Sequence, residues 1–99
     1  MSERKKLHEA EIAARLSSLT GWSASGGKLH REFRFKDFVA AFGFMTRAAL
    51  VAESMNHHPE WFNVYSSVVV DLSTHDAGGI TALDFALAEK MEELARSGS

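Results

Sequence analysis

Cysteine is absent from this 99-residue chain. No disulfide framework can form, and a zinc site built on thiolates is excluded. The absence fits a reducing compartment, so a cytoplasmic protein is expected. Proline occurs once, at Pro59, and no linker or low-complexity segment interrupts the chain. Neither charge dominates: 11 basic residues meet 13 acidic ones for a net charge of −2. Without a basic stripe, direct nucleic-acid binding is not expected. No apolar run approaches the roughly 20 residues of a membrane span. The start, Met1 to Leu7, is charged and lacks the apolar stretch of a signal peptide. What remains is ordinary for one globular domain over 1–99, with 45% hydrophobic and 24% charged residues.

Residues 1–7 read as polar and loose. A first helix is expected from near His8, with Ile12, Leu16 and Leu19 at helical spacing and a stop at Thr20–Gly21. Trp22-Ser-Ala-Ser-Gly26-Gly27-Lys-Leu reads as strand, Gly26–Gly27 turn and strand, the second strand running on to Phe35. In the second strand Leu29, Arg31, Phe33 and Phe35 share one face, and His30, Glu32 and Arg34 share the other. Asp37 can cap a helix over Phe38 to Met55, and His58–Pro59 ends it. Phe62 and Val64, then Val68, Val70 and Leu72, alternate as strands about a Ser66–Ser67 turn. Thr81-Ala-Leu-Asp84 has the spacing of a capping box and opens a last helix striped by Leu83, Leu87, Met91 and Leu94. The order α-β-β-α-β-β-α implies an α+β domain: a four-stranded antiparallel sheet with three helices on one face.

The central helix is too apolar for a simple cover. Its apolar positions, from Phe38 through Phe44 and Ala48 to Met55, fill an arc of roughly 200° at about 100° per residue. A helix lying on a sheet needs a stripe only somewhat wider than about 100°. Val39 and Leu50 add apolar groups on the far side. Burial of that outer face by another subunit is expected.

The chemistry concentrates in Glu53-Ser-Met-Asn-His57-His58-Pro59-Glu60-Trp61-Phe62-Asn63-Val64-Tyr65, with His75 following in Ser73-Thr74-His75-Asp76. Histidine titrates near neutral pH and can give or take a proton at little cost. His57 and His58 are neighbours whose side chains diverge, so they suit flanking a small substrate better than gripping one metal. Glu53 stands four residues before His57, in reach to fix its tautomer if the last helical turn persists. A metal held by His57, His58, His75 and Glu53 fits in ligand type, but no H-x-x-x-H or H-E-x-x-H spacing supports it. Trp61 serves either as a core aromatic or as a stacking surface for a flat heterocycle. These histidines could equally be solvated surface residues. Taken alone, the residues support proton-transfer chemistry in a small oligomeric domain and name no substrate.

The blocks Phe35-Lys-Asp-Phe38, Ala41-Phe-Gly-Phe-Met-Thr-Arg47, His57-His-Pro-Glu-Trp-Phe-Asn-Val-Tyr65 and Leu72-Ser-Thr-His75 closely resemble the pterin-4a-carbinolamine dehydratases. In animals, members of that family also act as dimerisation cofactors of a homeodomain transcription factor. The resemblance covers roughly residues 20–95. It implies dehydration of 4a-hydroxytetrahydrobiopterin to quinonoid dihydropterin, recycling the cofactor of aromatic amino acid hydroxylases, with no metal or cofactor in the enzyme. It places catalytic roles on His57, His58, His75 and Glu53, and pterin contacts on His57, His58, Pro59, Trp61 and His75. It also implies dimers or tetramers through the helix over 38–55, and a hydroxylase or transcription factor as a partner. Animal members often carry cysteine in the loop after the third histidine; Ala77 and Gly78–Gly79 stand there in this chain.

Overall fold

The structure, a computed structural model, describes residues 4–97. Helix α1 spans Glu9–Leu16, strand β1 Ser23–Ser25, strand β2 Lys28–Arg34 and helix α2 Phe38–Met55. Strand β3 follows at Glu60–Val64, strand β4 at Ser67–Leu72, a 3-10 turn at His75–Ala77 and helix α3 at Ala82–Ser97. All pairings are antiparallel, in the spatial order β1-β2-β4-β3. The α+β architecture and element order are those read from the sequence.

Alternation decides which sheet face is covered. Leu29 and Phe33 of β2, with Val68, Val70 and Leu72 of β4, are buried beneath the helices. They share one core with Ala41, Phe44, Ala48 and Ala52 of α2 and with Leu87, Ala88 and Met91 of α3. Burying each large apolar side chain contributes about 1.5–3 kcal/mol. Phe44 sits at the centre, its ring centroid 4.8 Å from Phe33 and 5.1 Å from Phe35. Arg31, on the same side of β2, is accommodated by charge pairing. Its Nε donates to Glu92 Oε2 at 2.7 Å, the oxygen that also accepts from Trp22 Nε1.

Boundaries shift in three places. Helix α1 stops at Leu16, short of Thr20–Gly21. There the Ser17 and Ser18 hydroxyls donate to Ala14 O and Arg15 O, and the chain tightens into three-residue turns through Leu19 N–H to Leu16 O. Strand β1 begins at Ser23, leaving Trp22 buried in the preceding turn. The β3–β4 turn lies one residue early, at Tyr65–Ser66, because Ser67 already pairs with Val64 and Arg34. Tyr65 takes a left-handed φ of 49° there, while Asn63 Nδ2 donates to the carbonyls of Tyr65 and Ser67. Residues 4–7, expected to be loose, are tied down: Leu7 N–H donates to Ile80 O at 2.8 Å. The rest of that expectation, residues 1–3, lies outside the described residues.

Helix α2 has the bounds read from the sequence, and Asp37 Oδ1 accepts from Ala40 N at 2.8 Å as its cap. Its inner stripe is buried, whereas Val39 remains 77% exposed and Leu50 70% exposed, with Phe38 and Phe42 about half so. By length and composition alone the helix could cross a membrane, at a mean hydropathy of 1.3. Its inner stripe is instead committed to the sheet.

Candidate active site

Two backbone devices set the course of the segments that carry the histidines. At the end of α2, Asn56 adopts a left-handed conformation, φ 52°, ψ 44°. Asparagine tolerates that region better than most residues. The N–H of His57 then donates to Ala52 O at 3.0 Å, so the chain turns sharply and Pro59 leads it into β3. The second device is a closed loop after β4. Thr74 and Gly79 form a bridge, with Thr74 N–H donating to Gly79 O at 2.9 Å. The 3-10 turn His75–Ala77 forms the tip of that loop, and Gly78 closes it at φ 76°.

A buried polar network locks the two devices to α3. His57 is 6% exposed and its Nε2 lies 2.5 Å from Asp84 Oδ1. Asp84 Oδ2 accepts from Thr74 Oγ1 and from Thr81 N, both at 2.9 Å. The Thr74 proton is thereby spent, so Thr81 Oγ1 donates to Thr74 Oγ1 at 2.7 Å and accepts from Leu83 N at 3.2 Å. Within this network the Asp84 carboxylate, the two threonine hydroxyls and His57 Nε2 are all partnered, as burial demands. Asp84 acts as acceptor throughout, so the ring proton sits on Nε2 and a neutral His57 keeps its lone pair on Nδ1.

The other candidates lie outside that network. His58 is 60% exposed and its Nε2 lies 2.8 Å from Glu53 Oε1. Glu53 therefore pairs with His58, not with His57 as the four-residue spacing suggested. The left-handed Asn56 rotates His57 inward and leaves His58 on the Glu53 side. In its neutral form His58 also keeps a lone pair on Nδ1, here open to a substrate. His75 is fully exposed, 3.7 Å from Asp76. Trp61 and Pro59 are half-buried. Trp61 stands opposite the buried Val70, so it faces the helix side and packs against the core. On the open face, Glu60 accepts from Lys28 Nζ at 2.6 Å, and that bond holds the ammonium pKa above its ordinary value. Among the described residues no group of three or more His, Asp or Glu side chains is placed to hold a metal.

Asp84 is the site residue missed by sequence reasoning, which gave it only a capping role. The signal was present. Asp84 falls on the apolar stripe of α3 with Leu87 and Met91, and a carboxylate on a buried stripe requires a partner. What the linear sequence withheld was which donor reaches it.

Comparisons with known proteins show the family of the chain. The family model described as pterin 4 alpha carbinolamine dehydratase matches residues 5–94. A relative from Solibacter usitatus is 62% identical over 90 residues, covering 91% of this chain and 95% of its own. One from Prochlorococcus marinus is 49% identical over 92 residues, covering 93% of this chain and 96% of its own. Both are provisionally named pterin-4-alpha-carbinolamine dehydratase. A crystal structure from Brucella melitensis, described as a transcriptional coactivator/pterin dehydratase, superposes with a TM-score of 0.90 at 47% identity. That superposition covers 92% of this chain and 99% of the other.

Proposed function

The chain belongs to the pterin-4a-carbinolamine dehydratase family, and on that premise we propose that it dehydrates a 4a-hydroxytetrahydropterin to quinonoid dihydropterin and water. The observation that carries the reading is the pair of carboxylate-held imidazoles at the end of α2, His58 on Glu53 and His57 on Asp84. In the reaction the C4a–O bond breaks, the hydroxyl takes a proton and leaves as water, and a ring nitrogen gives up its proton to form the new C=N bond. One acid and one base are needed, and both roles suit histidine near neutral pH.

His58 is the principal acid/base in this proposal, because it is both accessible and oriented. His57 and His75 bind the pterin and share proton transfer, with Pro59 and Trp61 bordering the ring. Such an enzyme would recycle the pterin cofactor of aromatic amino acid hydroxylases in the cytoplasm. The test is whether catalytic amounts of the protein accelerate the loss of freshly generated 4a-hydroxytetrahydropterin. A rate equal to the uncatalysed one would overturn the reading.

Self-association through α2 completes the proposal. Val39, Phe42 and Leu50 lie on its outer face and are exposed. Dimers or tetramers are therefore expected by analytical ultracentrifugation, and Val39→Glu with Leu50→Glu should reduce the mass to a smaller species. A wild-type protein that sediments as a monomer would contradict this. The same face supports a second reading, a protein-binding module that pairs with a transcription factor. A complex with such a factor, formed at the expense of the self-associated state, would support it.

A further inference from the structure

Residues 4–7 form a strap between the two segments that carry the histidines. Arg4 Nη2 donates to Asn56 O at 3.2 Å, one residue before His57. Leu7 is fixed at the other end by its bond to Ile80 and by packing against the core. Between them the Lys6 stem crosses Gly79, its Cε 3.0 Å from where a β-carbon on that glycine would stand. Gly79 closes the loop that presents His75. The strap thus touches both halves of the site.

Lys5 and Lys6 are exposed and make no ion pair among the described residues. Together with His8, Glu11 and Arg15 they wall a cleft of about 290 Å³ that reaches Ala82, the first residue of α3. Glu11, which accepts from the His8 N–H at 2.9 Å, is the one carboxylate among these lining residues. Lys5, Lys6 and Arg15 against the single carboxylate of Glu11 leave the cleft net positive, and the Lys6 stem links it to Gly79 at the base of the His75 loop.

We propose that this strap selects the substrate. Lys5 and Lys6, with Arg15 across the cleft, receive an anionic group of the phosphate class carried on the side chain of the pterin. The inference rests on the dehydratase reading and narrows its substrate to a pterin with a charged tail. Lysine suits the task as a mobile point charge. Exposed charge contacts are individually weak and screened by salt, so the strap confers a preference and not an absolute requirement.

The test compares binding of 6-hydroxymethyl-7,8-dihydropterin and its monophosphate ester by calorimetry. The full-length protein and its Lys5→Gln/Lys6→Gln variant are measured at low and at high salt. The ester should bind wild type about 10-fold more tightly at low salt. That advantage should shrink to under about 3-fold in the variant and at high salt. Equal affinities in wild type, or an advantage that survives the double substitution, would overturn the proposal. The result is separable from the dehydratase reading. Binding preference is read without turnover, whereas loss of that reading requires that wild type fail to accelerate dehydration of a neutral 4a-hydroxytetrahydropterin.

Discussion

Replacing His58 with alanine is expected to leave a folded protein and to lower the dehydration rate by about 10²–10⁴-fold, the range that positioned acid–base groups contribute. The two halves of that expectation follow from one observation. His58 is largely exposed and its ring pairs with the likewise exposed Glu53, so its removal orphans no buried group. Surface substitutions of that kind change stability by roughly 0.5 kcal/mol or less. Thermal melts should therefore coincide with wild type while stopped-flow rates fall. Glu53→Gln should cost less, because an amide can still orient the ring. A folded His58→Ala protein with near-normal turnover would move the acid–base role to His57 or His75.

Asp84→Ala should have the opposite profile, with stability lost first. The substitution leaves His57 Nε2, the Thr74 hydroxyl and Thr81 N–H without their acceptor, in a region closed to water. Each buried orphan costs about 1–3 kcal/mol, and breaking a buried charged pair costs about 3–5 kcal/mol in all. Against a total stability of about 5–15 kcal/mol that is a large fraction. For a domain of this length, each kcal/mol shifts Tm by about 4–8 °C. Calorimetry should accordingly place the variant more than about 10 °C below wild type. Asp84→Asn, which keeps shape and one acceptor oxygen, should fall between them. A melting point for Asp84→Ala within about 2 °C of wild type would contradict the network. Below its own Tm the alanine variant should also be less active, because His57 loses the partner that fixes its ring.

The fold was legible because its elements are locally consistent. Helix α2 carries its own start and stop, Asp37 and His58–Pro59, and β2 and β4 alternate cleanly. Boundaries failed where side chains bond locally to the backbone, at Ser17–Ser18 and at Asn63–Tyr65. The site was half legible. Residue types and adjacency marked Glu53, His57, His58 and His75, but pairing depended on one left-handed residue, Asn56, that spacing arguments do not see. Spacing favoured Glu53 with His57; the turn gives Glu53 to His58 and leaves His57 for Asp84, 27 residues further on. The outer face of α2 was visible in the sequence because too many apolar residues remained for one core to hold.

The most direct test of the central claim is the rate of quinonoid dihydropterin formation from freshly generated 4a-hydroxytetrahydropterin, measured with wild type and with the His57→Ala/His58→Ala double variant. Clear acceleration by wild type and an uncatalysed rate with the folded double variant are the predicted results. Acceleration that survives the loss of both histidines, or none from a folded wild-type protein, would contradict the account.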